Sequence, residues 1–257
     1  MKTARDTWFM VVRQSRNLMR EPIWIALLLI QPMVWLVLYG QLFKNVTRLG
    51  GFGTTSYVTF LAPAIVVMNS FFGATWSGMA MVADLDRKFV ERFLATPASR
   101  LSLVLSQIVR SALTAAIQAV VILVVALALG VRVSTGVLGW LVVILVAMLV
   151  NAAFAGVSQG LALLTRREAT MITLANFISL PLLFLSSALF PAKQMPHWMR
   201  GLVSFNPVNW GVRAARGVVL PGTDWGSVGL HLGYLAALCV ATAAFANWTF
   251  RSYQRSL

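Results

Sequence analysis

Six stretches of the chain carry no Lys, Arg, Asp or Glu: residues 22–43, 49–83, 111–131, 133–165, 169–192 and 225–250. Each exceeds the ~20 residues that cross a hydrocarbon core as a helix. A membrane barrel would instead show alternation in segments of about ten residues, and no such pattern occurs. The pattern predicts an all-α, polytopic membrane protein with six transmembrane helices. Residues 1–257 form a single membrane domain.

The polar positions refine this outline. The 49–83 run is too long for one straight span. Its first eight residues are rich in Gly and Thr, so 49–56 reads as an outer loop and 57–83 as the second span. Within that span Asn69, Thr75, Trp76 and Ser77 place polar groups at membrane depth, where such groups face other helices or a cavity. Gln31-Pro32 interrupts the first span, and the proline removes a backbone donor and kinks the helix. Thr96-Pro97 supplies an N-cap and a first-turn proline for the third helix. That helix is therefore longer than its span and carries Arg110 near the inner interface. Arg110 reads either as a snorkelling anchor or as a functional arginine within the membrane. Gly156-x-x-x-Gly160 and Gly229-x-x-x-Gly233 are spacings that let helix backbones approach. The fifth span holds Asn176 and Pro181.

Two further segments are amphipathic. Residues 1–21 interleave Lys2, Arg5, Arg13, Arg16 and Arg20 with Trp8, Val12 and Met19 at helical spacing, which predicts an interfacial helix. Residues 191–227 are apolar but broken by Pro191, Pro196, Pro207 and Pro221, with Trp198, Trp210 and Trp225 along them. This reads as a re-entrant outer segment of short helices between spans five and six, because Arg213 and Arg216 disfavour a seventh span.

Composition agrees. Hydrophobic residues make up 59% of the chain and charged residues 11%, against about 25% charged in a soluble domain. The net charge of +14 would point to nucleic acid in a soluble protein. Here the bases sit in short caps between apolar runs, so no nucleic-acid partner is expected, and the headgroups of membrane lipids are. With both termini cytosolic, the inner segments and Arg110 hold 14 bases and the outer segments 7, as the positive-inside bias requires. The first apolar run is long and reads as a retained anchor rather than a cleaved signal.

Catalytic chemistry is hard to assemble. Cys239 has no partner, and His197 and His231 read as outer-interface residues without function. None of the four lysines follows glycine, so no phosphate-cradling loop is present and this chain is not expected to hydrolyse ATP. No metal-ligand spacing occurs. We expect no enzyme, no metal and no cofactor in this chain.

The remaining feature is a charged island. Residues 84–100 hold three of the seven acids and four of the 21 bases. Leu85, Phe89 and Phe93 fall at i, i+4 and i+8, one stripe of a helix, among Asp84, Asp86, Arg87, Lys88, Glu91 and Arg92. Arg87 and Glu91 stand one helical turn apart and are able to pair. The stripe either rests on the membrane surface or inserts into a groove on a cytosolic partner.

Three stretches resemble the membrane permeases of type-2 ATP-binding-cassette (ABC) exporters, in particular the daunorubicin-resistance-like branch. They are NLMREPIWIALLLIQPMVWLVLYGQLF (17–43), DLDRKFVERFLATPASR (84–100) and LPLLFLSSALFPAKQMPHWMRGLVSFNPVNWGVRAAR (180–216). The family's Arg-x-Pro and Gln-Pro occur in the first, its Glu-Arg-Phe, Thr-Pro and Ser-Arg in the second, and its Phe-Pro, Met-Pro-x-Trp and Asn-Pro in the third. Where many members carry a Gly-Thr step before Glu-Arg, this chain has Lys88-Phe89-Val90.

The resemblance implies two permease chains, expected as a homodimer, in the plasma membrane. It also implies a separate cytosolic ATPase that binds ATP and magnesium. Residues 84–96 would be the coupling helix, with Asp84, Leu85, Arg87, Phe89, Glu91, Arg92 and Phe93 as its contact residues. The pathway would run between spans two and five, past Asn69, Phe72, Trp76, Asn176, Phe177 and Phe184. A hydrophobic drug or antibiotic is the expected cargo, and a lipid or lipid-linked glycan is the alternative. A membrane scaffold that transports nothing is the competing reading of another class.

Overall fold

The computed structural model describes residues 29–86 and 100–254. The expected interfacial helix 1–21 and positions Arg87, Phe89, Glu91, Arg92 and Phe93 of the coupling helix lie outside the described residues. The described residues form helices and connecting turns, with no strand among them.

Among the described residues, and short 3–10 turns aside, eight helices follow one another: α1 (Leu29–Leu42), α2 (Tyr57–Asp86), α3 (Arg100–Ala128), α4 (Val137–Thr165), α5 (Glu168–Phe184), α6 (His197–Phe205), α7 (Pro207–Val219) and α8 (Trp225–Gln254). α2, α3, α4 and α8 are each long and apolar enough to cross a membrane. The described part of span one, α1, and the fifth helix, α5, are shorter apolar helices. The expected break at residue 57 is where α2 begins. Asp84, Leu85 and Asp86 continue α2 to the edge of the described residues, and the rest of the expected coupling helix lies outside them. No helix breaker separates Ala83 from Asp86, so the α2 ladder runs on.

The ends have local causes. Gly130, at φ 88°, closes α3 with Val131 N donating to Ala126 O at 3.0 Å. This six-to-one bond past a left-handed residue suits glycine. Between α4 and α5 only Arg166 and Arg167 intervene, and Arg166 takes the left-handed conformation at φ 54°. So short a turn makes α4 and α5 antiparallel.

α4 is the centre of the bundle. It packs against α2, α3 and α8, and Val143, Val146, Ala147, Val150, Ala153, Ala155 and Ala162 along it are fully buried. Its glycines explain one close approach. A Cβ on Gly156 would stand 2.9 Å from the carbonyl carbon of Thr242, and one on Gly160 would meet the Phe245 ring, both on α8. Gly229 and Gly233 are different: a Cβ on either would meet nothing within 4 Å, so among the described residues that second glycine pair makes no close helix approach.

The bundle has two ends. At one, Tyr57, the 3–10 turn Val46–Leu49, α6 and α7 gather. At the other lie Asp84, the Arg166-Arg167 turn and Tyr253, with the Arg166 guanidinium 4.6 Å from the Tyr253 ring centroid. α1 and α5 lie at the periphery. Val34, Leu38, Leu42, Phe177, Leu180 and Phe184 on them are exposed, which suits lipid or a second chain rather than water.

Candidate functional site

A cavity of about 340 Å³ opens where α1, α2 and α5 meet. That volume lies at the small end of the range for small-molecule sites. α2 supplies Ile65, Met68, Asn69 and Phe72, one face at i, i+3, i+4 and i+7. α5 supplies Leu180, Leu183 and Phe184, and α1 supplies Gln31, Pro32 and Trp35. Among the described residues nothing charged lines it. Asn69 is fixed in place, because its Nδ2 donates to Gln118 Oε1 on α3 at 3.0 Å. The site therefore offers aromatic and aliphatic surface with an oriented amide, which fits a neutral, largely apolar ligand body.

The cavity joins Asn69, Phe72 and Phe184 of the expected pathway. Trp76, Asn176 and Phe177 are exposed and do not line it. Trp76 stands one turn beyond Phe72 and Phe177 two turns before Phe184, both displaced towards the Asp84 end. Gln31, Pro32 and Trp35 were not among the expected pathway residues. Their signal was present, since Gln-Pro interrupts an otherwise apolar run.

Towards the Tyr57 end an aromatic column closes over the cavity. A π-helical turn spans Trp35–Tyr39. Trp35 stacks on Tyr39 with centroids 4.5 Å apart, and Tyr39 is followed by Phe43 at 5.6 Å. Phe43 continues to Tyr57 at 5.7 Å, beside the Phe52–Phe60 pair at 4.9 Å. Such pairs contribute beyond simple burial. The Tyr57 hydroxyl donates to Leu189 O at 3.2 Å.

The same end is fastened by α7. Arg216 is only 7% exposed. Its Nε donates to Phe60 O at 2.9 Å, and its two terminal nitrogens donate to Ser187 O and Ala188 O. Burial pushes the guanidinium down, to about 9, which leaves it charged at neutral pH. Asn209 Oδ1 accepts from Ser187 N at 3.1 Å and from the Ser187 hydroxyl at 2.6 Å. Asn206 caps α7 by accepting from Val208 N, and its Nδ2 donates to Leu182 O and Leu185 O. The non-helical turn after α5 thus has its backbone groups met by three side chains, as buried polar groups require. Arg216, counted among the outer bases, is thus buried at the Tyr57 end.

Of the α2 positions expected to place polar groups at membrane depth, Asn69 and Ser77 bond to neighbouring helices, Thr75 donates to Phe72 O on its own helix, and Trp76 is exposed. Asn151 Nδ2 donates to Ser70 O at 2.9 Å, and Ser158 Oγ donates to Thr75 O at 2.7 Å while accepting from Gly78 N at 3.1 Å. Gln159 Nε2 donates to Ser77 Oγ at 3.1 Å. At the Asp84 end Gln107 Nε2 donates to Asp84 Oδ2 at 2.8 Å. Cys239, read as a small buried hydrophobe, is half-buried in α8 with its thiol donating to Leu149 O at 3.0 Å. No group of three or more His, Cys, Asp and Glu side chains able to hold a metal occurs among the described residues.

Residues 5–220 match the model of one family, described as ABC-2 type transporter. The chain belongs to the ABC-2 type transporter family. It is an ABC-2 permease of the daunorubicin-resistance-like type. It is 31% identical over 217 residues to "Putative transport permease ycf38" of Porphyra purpurea, covering 84% of this chain and 74% of that one. Over 235 residues it is 23% identical to "Daunorubicin resistance ABC transporter permease protein DrrB1" of Streptomyces coeruleorubidus, covering 91% and 80%. A "Probable doxorubicin resistance ABC transporter permease protein DrrC" of Mycobacterium tuberculosis is 23% identical over 183 residues, covering 71% and 66%. The ABC-2 permease is thus a multi-pass membrane protein. Permeases of this family work with a nucleotide-binding ATPase subunit and are not themselves enzymes.

Proposed function

We propose that this permease is the membrane half of an ATP-driven exporter that moves a hydrophobic, drug- or antibiotic-like molecule outward across the plasma membrane. Both termini and the Asp84 end lie in the cytosol. A separate ATPase docks on residues 84–96 and supplies the energy through ATP and magnesium. Two permease chains associate through the exposed faces of α1 and α5, and the pathway runs between them. Trp76 and Phe177 continue the cavity walls towards the cytosol as its approach. Closure of the ATPases drives the spans from an inward-open to an outward-open state.

The observation that carries this reading is the uncharged cavity between α1, α2 and α5, with Trp35, Phe72 and Phe184 around the oriented amide of Asn69. Two relatives are named for resistance to daunorubicin and doxorubicin, which are planar, ring-bearing molecules. The test is co-purification with the ATPase expressed beside it, then daunorubicin-stimulated ATP hydrolysis and uptake in inverted proteoliposomes. Stimulation and ATP-dependent uptake are expected. An ATPase that docks but shows neither response to daunorubicin removes the drug reading, and Phe89→Asp is expected to abolish docking.

A lipid tail is the competing cargo. Phe184, at the cavity's edge, is 64% exposed, so an acyl chain would have lateral access wherever a second chain leaves that face uncovered. Transfer of a fluorescent lipid between leaflets, with no uptake of daunorubicin, would favour it.

A further inference from the structure

The connection between α2 and α3 is the segment on which an ATPase would act, and its two roots are tied together. Asp84 lies on α2. Gln107 and Arg110 stand at i and i+3 on α3 and so share a face. Gln107 is buried, at 3% exposure, and its Nε2 donates to Asp84 Oδ2 at 2.8 Å. Arg110 is half-buried and within electrostatic reach of Asp84. Two polar atoms of this cluster, Gln107 Oε1 and Arg110 Nε, are buried without a hydrogen-bond partner among the described residues. Burying them is unfavourable, so the cluster is not explained as a device for stability alone.

Its position supplies another explanation. A carboxylate bonded across to a buried amide, with a cation beside it, is stiff in a low-dielectric setting. Among the described residues the next side-chain hydrogen bond between α2 and α3 is Asn69–Gln118, eight to fifteen residues further along. We infer that Gln107 and Arg110 are positioning residues. They clamp the roots of α2 and α3 so that displacement of residues 87–99 moves both helices as one lever. Without the clamp the same displacement would be absorbed by splaying the two roots. The inference rests on the proposed role of that segment in coupling.

The test places spin labels at Asp86→Cys and Val109→Cys in a Cys239→Ser background, with the permease and its ATPase in lipid nanodiscs. Pulsed dipolar spectroscopy then reads the separation of the two roots, without nucleotide and after vanadate trapping with ATP. One narrow distance, unchanged by trapping, is expected. Gln107→Leu should broaden it and add a second population on trapping. The exchanged pair Asp84→Gln with Gln107→Asp should restore the single distance, because donor and acceptor merely trade helices. A distance that changes on trapping in the otherwise unaltered chain overturns the inference, as does a Gln107→Leu distribution as narrow as the parent's. Should Gln107→Leu fail to fold, the trapping comparison in the parent still decides. ATPase co-purification is measured on the same samples. Its absence from the parent counts against the proposed function, while the clamp is still read from the nucleotide-free distances of parent and variant.

Discussion

The Arg216 guanidinium lies over the Phe60 ring, 3.4 Å from its centroid, while its Nε donates to the carbonyl of that same residue at 2.9 Å. One side chain therefore grips both the face and the backbone of Phe60, and its other two donors hold the turn after α5. Lysine has no planar fork and cannot reproduce this arrangement. Arg216→Lys should lose two of the three bonds and cost about 3 kcal/mol, at 1.5–3 kcal/mol for each charged bond less what the ammonium recovers. Arg216→Met, which removes all three donors, should cost more. Thermal unfolding of the purified permease in detergent checks the order.

The interhelical bonds of α2 are individually weaker. Ser158→Ala removes one donor to Thr75 O and one acceptor for Gly78 N. Bonds of this kind average about 0.6 kcal/mol in a membrane protein. The expected loss is therefore about 1 kcal/mol, well below that of the Arg216 variants in the same assay.

The two glycine pairs should separate cleanly. At Gly156 a methyl would press on the Thr242 backbone, so Gly156→Ala should destabilise by about 1–3 kcal/mol through overpacking. Gly229→Ala and Gly233→Ala meet nothing within 4 Å. They should leave stability unchanged or raise it slightly, since alanine is the better helix former. Loss of stability at Gly229 that depends on protein concentration would place a second chain there.

Cavity and surface aromatics should differ in what they change. Phe72→Ala and Phe184→Ala remove rings that line the cavity and should raise the half-saturating daunorubicin concentration by about tenfold, at ~1.4 kcal/mol per decade. Phe177 is 77% exposed and lies off the cavity. Phe177→Ser should leave that concentration unchanged and shift the monomer–dimer distribution measured by mass photometry in nanodiscs.

The legible and illegible parts of this chain follow a physical division. The start of α2 at Tyr57 could be read because Gly and Thr crowd the residues before it. That Asn69 and Ser77 face other helices could be read because lipid offers them no partner. What periodicity does not supply is depth along the helix axis. Trp76 shares a face with Phe72, and Phe177 with Phe184, yet each is one or two turns from the cavity. Glycine spacing permits an approach without saying whether another helix is there, so 156/160 and 229/233 look alike in sequence and differ in the fold. Arg216 was illegible for a different reason. A charged residue in a broken apolar segment reads as exposed, and only the fold brings it the carbonyls of Phe60, Ser187 and Ala188. The coupling segment's own aromatics lie outside the described residues.

The widened turn in α1 has a geometric consequence. In an ordinary α-helix, residues four apart overshoot a full turn by about 40°, so rings at 35, 39 and 43 would fan out by about 80°. The wider pitch of the Trp35–Tyr39 turn takes back part of that angle, because each residue there advances less around the axis. Three rings that an α-helix would spread like a spiral stair are instead aligned like rungs. Straightening this turn would swing Trp35 out of line with Tyr39 and Phe43, so the wall of the cavity and its aromatic lid share one adjustable joint.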